Sequence, residues 1–249
     1  MRAKWVIIGG FVAVALPGCR HADDGKPDSD GKAKAAACDR GRGLRSSAPA
    51  TYRTKGKALL GDVDADGRND RVTLRVSTTR PARCRHLLAV QVAGGKTAVS
   101  TVPPLPWPGT DPQLLLLAEV DGRPGLEPVI TLSPAAVYRP GAVFTLNQGR
   151  LLRMTLEGAS VPALFPFYDE FPAGVDCTGR PGAIVVTQGR IADEGDGSWD
   201  ITRSFHRAAG ARFDRVRRER FLVEVGPEAG QRWPEVRGDP FPRCPGRVG

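Results

Sequence analysis

Apolar positions divide the chain into three zones. Residues 5–16 form an unbroken apolar stretch, preceded by Arg2 and Lys4. Residues 20–50 are polar, rich in Asp, Lys, Gly and Ala, and show no apolar period. From residue 51 onward, short β-prone runs alternate with breaks containing Gly, Asp or Pro, which is the pattern of strands and tight turns. Three stretches predict hairpins: HLLAVQVAGGKTAVSTV around Gly94-Gly95, AVFTLNQGRLLRMTL around Asn147-Gln148-Gly149, and WDITRSFHRAAGARFDRVRRERFLVEV around Gly210.

Three segments ahead of these hairpins resemble one another. They are GDVDADGRNDRVTL (61–74), AEVDGRPGLEPVITL (118–132) and AGVDCTGRPGAIVV (173–186). Each carries Val-Asp, a Gly-Arg turn and an apolar run. Asp64, Asp121 and Asp176 mark the phase at spacings of 57 and 55. KALLGDV (57–63) and LLLLAEV (114–120) read as lead-in strands, so each unit predicts strand, loop, strand and hairpin. The fold expected is all-β, with about three degenerate four-stranded units like propeller blades in a small or open propeller-like domain. A plain β-sandwich with coincidental Asp-Gly turns is the alternative.

The apolar stretch near the start is too short to span about 30 Å of hydrocarbon, which takes roughly 20 helical residues. A basic start and a short apolar core describe a secretory signal. Leu16-Pro17-Gly18-Cys19 resembles the lipobox of bacterial lipoproteins, with Pro17 where that family has a small residue. The resemblance implies cleavage before Cys19 and lipidation of its thiol; a plain secretory signal with a chance Cys is the alternative. Three regions are therefore expected: a lipoprotein signal (1–18), a lipidated Cys with a disordered tether (19–50) and a β-repeat domain (51–249). The expected location is the cell membrane, lipid-anchored on its extracytoplasmic face. Thirty flexible residues reach about 30 Å, which lifts the domain off the bilayer.

Composition agrees with export. With Cys19 assigned to lipid, Cys38, Cys84, Cys177 and Cys244 form an even set, which in an oxidising compartment suggests two disulfides. Three connectivities are open, and Cys38–Cys84 with Cys177–Cys244 closes the shorter loops. The net charge is +9, with two of these charges in the signal. Such a basic exported chain suits anionic lipid heads, an anionic wall polymer or another surface protein. No nucleic-acid motif occurs, and that partner class is set aside.

The first loop holds the one pattern with defined chemistry. Asp62, Asp64, Asp66 and Asp70 stand in D-x-D-x-D-G-x-x-D, where alternate carboxylates can wrap a hard cation, Gly67 permits the sharp turn and the Arg68 carbonyl fills a further place. Four carboxylates this close repel one another without a cation. The twelfth position, a bidentate Glu in an EF-hand, is Thr73. DVDADGRND followed by a β-run and hairpin resembles the FG-GAP or VCBS-type repeat of extracellular bacterial proteins and integrin-like propellers, over residues 55–225. The resemblance implies that this loop binds a structural calcium. A solvated Asp-rich turn is the alternative. The second loop offers Glu119, Asp121 and Glu127, and the third Asp176 and Thr178, with little or no metal binding expected.

Other features are weaker. Arg212, Arg215, Arg217, Arg218 and Arg220 form a basic run that reads as a solvated hairpin face. Phe165, Phe167, Tyr168 and Phe171 flank Asp169 and Glu170, and Trp107 lies in a Pro-rich stretch. Neither a G-x-S-x-G nor an H-E-x-x-H motif occurs. A surface-anchored binding or scaffold protein is favoured. An exported glycan hydrolase using Asp169, Glu170 and Asp176 is the alternative.

Overall fold

The domain contains three antiparallel meanders of four strands each. The computed structural model describes residues 38, 42–45, 51–102, 104, 111–132, 141–156, 173–193, 198–224, 233 and 241–249. The first meander is β2 (Arg53–Gly61), β3 (Asp70–Val76), β4 (His86–Gln91) and β5 (Thr97–Val102). The second is β6 (Gln113–Ala118), β7 (Glu127–Thr131), β8 (Gly141–Asn147) and β9 (Arg150–Arg153). The third is β11 (Ala173–Cys177), β12 (Ala183–Asp193), β13 (Ser198–Ala208) and β14 (Arg212–Glu224). A short β10 (Thr155–Leu156) lies parallel to β14. The domain is thus all-β, with three four-stranded units. The one helical element among the described residues is a 3-10 turn at Ala82–Cys84.

The predicted hairpins close at Gly residues, and in one case at a Gln-Gly pair, in left-handed backbone. Gln148 and Gly149 both have positive φ, 50° and 71°, the two-residue geometry that matches strand twist. Gly95 and Gly210 serve the other two hairpins at 81° and 66°.

The stretch expected as a tether to residue 50 contains structured positions. Cys38 is disulfide-bonded to Cys84, and Arg42–Arg45 forms β1, seated between β5 and β9. RGLR has no apolar period, so nothing local marks it as a strand. It is held by backbone pairing to two waiting strand edges, which needs no particular side chain. The strand fuses the first two meanders into one nine-stranded sheet, ordered β2-β3-β4-β5-β1-β9-β8-β7-β6. The outer strands β2 and β6 then come side by side. The third meander and β10 form a separate five-stranded sheet.

The second meander is covered on both faces. Leu117, Ile130, Ala142 and Phe144 pack against Val72, Leu74, Leu88 and Val90 of the first meander. Leu116, Ala118, Val129 and Val143 pack against Val175, Ile184, Val186 and Phe213 of the third. Double burial explains why LLLLA and PVI lack polar alternation. The disulfides join Cys38 to Cys84 and Cys177 to Cys244, with Cα separations of 5.3 and 5.0 Å. The second ties the C-terminal segment to β11.

Candidate functional site

The three repeat loops lie together at one end of the fold. Leu126 N–H in the second loop donates to the Asp62 carbonyl at 2.9 Å. The second and third loops meet at two glycines with positive φ: a Cβ on Gly122 would fall 2.1 Å from the Gly182 nitrogen, and one on Gly182 would fall 2.5 Å from the Asp121 carbonyl oxygen. This backbone contact leaves no room for a side chain.

In the first loop, Asp62 accepts from Asp66 N–H at 3.1 Å and from Gly67 N–H at 2.9 Å. Asp64 accepts from Asp66 N–H at 3.2 Å. Asp70, at the start of β3, is buried and accepts from three amides: Val63 at 2.8 Å, Asp64 at 3.1 Å and Ala93 at 2.9 Å. These bonds fold the loop so that one carboxylate oxygen each of Asp62, Asp64 and Asp70 lie within 4.8 Å of one another. Oxygens about 2.3–2.6 Å from a shared calcium lie at most about 5 Å apart, so the triad has the span of a single hard cation. Burial, followed by the charges of Asp70 and Asp66, raises the Asp64 carboxyl above its ordinary range.

Asp66 takes a different part. Both of its oxygens face Arg68, which donates from its backbone N–H at 2.9 Å and from Nε and Nη2 at 3.0 and 2.6 Å. The Arg68 side-chain bond, seconded by its backbone amide, holds the Asp66 carboxyl below its ordinary value. The structure therefore brings three of the four predicted carboxylates together and pairs the fourth with Arg68.

The second loop repeats this frame with one exchange. Glu127 accepts from Val120 N–H at 2.7 Å and from Asp121 N–H at 3.1 Å, the same spacing that Asp70 spans with Val63 and Asp64. Where the first loop has Asp66, the second has Arg123. Its guanidinium binds Asp121 and reaches Thr145 Oγ1 at 2.8 Å, while Thr145 donates to Asp121 at 2.9 Å. A built-in cation thus neutralises the buried Asp121. Glu127 is pushed up to about 8, first by burial and then by Asp121.

In the third unit Asp176 is buried in β11 and is turned to the C-terminal segment, accepting from Arg243 N–H at 2.8 Å and from Arg243 Nε. That pairing engages the carboxylate, named in the hydrolase alternative, with a guanidinium. Asp169, Glu170, the aromatic cluster, Trp107 and the Leu16–Cys19 motif lie outside the described residues. Arg123, Thr145 and Arg243 carry no motif of their own; aligning Arg123 with Asp66 in the repeat was the one available signal.

His86 is buried at the start of β4, and burial, followed by Lys55, lowers it to about 4. In the basic run, Arg212 pairs with Asp214, Arg217 with Glu219 and Arg220 with Asp200. All five of its arginines are exposed, as expected of a hairpin face.

The fold and loops define a disulfide-bonded, all-β domain of three meanders with a carboxylate triad in its first loop. No family model, curated protein or solved structure matches the chain.

Proposed function

We propose that this chain is an exported, lipid-anchored surface protein that binds or scaffolds other surface components through a calcium-stiffened β domain. The observation that carries this reading is the triad of Asp62, Asp64 and Asp70, whose oxygens converge from a single loop. Calcium held there would cross-link the end of β2 to the start of β3 and offset the repulsion among the carboxylates. Asp66 and the Arg68 carbonyl, implied as ligands by the repeat resemblance, would join as the Asp66–Arg68 pair opens. The ion's part is structural, since the loop offers no nucleophile or paired acid and base. Two disulfides favour an oxidising compartment, and Cys19 behind an apolar core favours an anchor there. The partner classes are the membrane through the acyl chains, and an anionic wall polymer or another surface protein.

The test is thermal unfolding of the full chain with calcium and with a chelator. A ligand at 100 times its Kd stabilises by about 2.7 kcal/mol. Calcium is expected to raise Tm, and Asp64→Ala to abolish the rise. A wild-type chain whose Tm ignores calcium overturns the structural-ion reading. Cys19→Ala is expected to release the protein from the membrane fraction; retention of the variant there overturns the anchor.

A further inference from the structure

We infer that a cleft at the free end of the third meander binds a phosphate group. Its basis is separate from the carboxylate triad, at the point where the third loop meets the β13–β14 hairpin.

The backbone builds the cleft. Ala208 N–H donates to the Gly182 carbonyl at 2.7 Å and so draws the third loop against the end of β13. The ladder between β13 and β14 is interrupted by a bulge: Phe205 pairs with Arg217 and His206 with Arg215, leaving Val216 without a partner. An inserted residue of this kind bends the strand and re-aims its side chains. Without it, Arg215 and Arg217 would share a face. With it, Arg217 joins the Phe205 face, and Val216 is left 63% exposed. The resulting cleft of about 480 Å³ is lined by Arg180 and Thr178 of the third loop, Phe205 and Arg207 of β13, and Arg217 of β14.

The charges in it are one-sided. Arg180, Arg207 and Arg217 line the cleft, and among the described residues no carboxylate does. Arg217 is held in place, with its guanidinium carbon 4.1 Å from the Phe205 ring centre and Nη2 2.9 Å from Glu219. The nearby acids are already engaged: Asp214 by Arg212, and Glu219 by Arg217 and, at 3.9 Å, by Arg203. Arg180 and Arg207 have no hydrogen bond or ion pair from their side chains among the described residues. Elsewhere on this domain arginines at carboxylates are paired, as Arg190 and Arg220 are to Asp200 and Arg243 is to Asp176.

Three guanidinium forks around one space call for a ligand with several acceptor oxygens and more than one negative charge. A single carboxylate has two oxygens and one charge. A phosphate monoester or inorganic phosphate has at least three free oxygens and close to two charges at neutral pH. The chemistry is therefore that of a terminal phosphate, free or carried on a lipid headgroup, and Thr178 adds a hydroxyl at the rim.

The experiment is calorimetric titration of the full chain with inorganic phosphate at constant ionic strength, with acetate as comparison, and flotation with phosphatidylcholine vesicles with and without phosphatidic acid. Saturable phosphate binding, weaker binding of acetate, and a loss of about tenfold or more in Arg180→Gln/Arg207→Gln are expected. Arg53→Gln/Arg71→Gln, equal in charge and placed on β2 and β3, is expected to change affinity less than about twofold. Retention by phosphatidic acid vesicles that the cleft variant loses identifies a headgroup as the source; phosphate binding without such retention identifies the free ion. Absence of saturable phosphate binding, acetate binding as tightly, or equal loss in the two variant pairs overturns the inference. None of these readings depends on calcium, so failure here is distinguishable from failure of the calcium loop.

Discussion

Glu127 occupies in the second repeat loop the place that Asp70 occupies in the first, and each carboxylate accepts the backbone amides six and seven residues before it. Both acids start a strand, both are buried, and both hold their loop in the same turn. The first loop then completes its frame with converging carboxylates, and the second with the Arg123 guanidinium.

Asp70 also accepts from Ala93 N–H, so its loss leaves three amides without this acceptor, of which that of Val63 is buried and those of Asp64 and Ala93 are at exposed residues. An unsatisfied buried donor costs about 1–3 kcal/mol. Asp70→Ala is expected to lower unfolding free energy by about 1–3 kcal/mol in chelator, measured by urea denaturation. Asp70→Asn, which keeps an acceptor, is expected to lose less.

Arg123 stands against a carboxylate with almost no exposure. Removing it leaves Asp121 buried and unpaired, a change that costs about 3 kcal/mol when a buried pair is broken. Arg123 is itself partly exposed, so Arg123→Gln is expected to cost about 1–3 kcal/mol. Arg123→Lys, which keeps the charge without the fork, is expected to recover part of this in the same denaturation measurement.

Glu127 gives the stability a slope from acid to near-neutral pH. Its pKa rises from the ordinary 4.5 to about 8 in the folded chain. Between those values the folded state keeps a proton that the unfolded state releases. The stabilisation is full below the unfolded value and is lost as pH rises through the folded one. Glu127→Gln is expected to flatten the fall in unfolding free energy between about pH 4.5 and 8; a slope equal to wild type would show that Glu127 is not its source.

Gly122 and Gly210 both have positive φ, at 75° and 66°, but differ in surroundings. An added Cβ on Gly210 meets nothing within 4 Å, whereas on Gly122 it collides with the third loop. Gly210→Ala is expected to cost about 1 kcal/mol, the strain of left-handed backbone alone. Gly122→Ala is expected to cost about 2–4 kcal/mol, since backbone must also move. The difference in Tm between the two variants measures the contact between the second and third loops.

The Cys177–Cys244 bridge spans 67 residues and anchors a segment also held by Arg243 on Asp176 and by Val248 bridging Leu117. Loop-closure entropy puts its contribution at about 4 kcal/mol. Cys177→Ala/Cys244→Ala is expected to lose stability of that order, and limited proteolysis is expected to cut first near residues 241–249.

The sequence alone determined the repeating units and their strands and turns; among three open cysteine connectivities it favoured, by shorter loops, the one the structure contains. Alternation of apolar residues, Gly and Asn at hairpin tips, and Asp spacing are local properties, written into consecutive residues. It also located the carboxylate loop, since the three oxygens that converge come from nine neighbouring residues. Only the tertiary structure decided that Arg42–Arg45 fuses two meanders, because backbone pairing to an open edge leaves no mark in side chains. Only it buried the second meander on both faces, aimed Arg243 at Asp176 across 67 positions and drew Arg180 toward Arg207 beside a strand bulge. Those relationships join residues far apart in the chain, and their energies arise from burial and charge pairing that exist only once the sheets have packed.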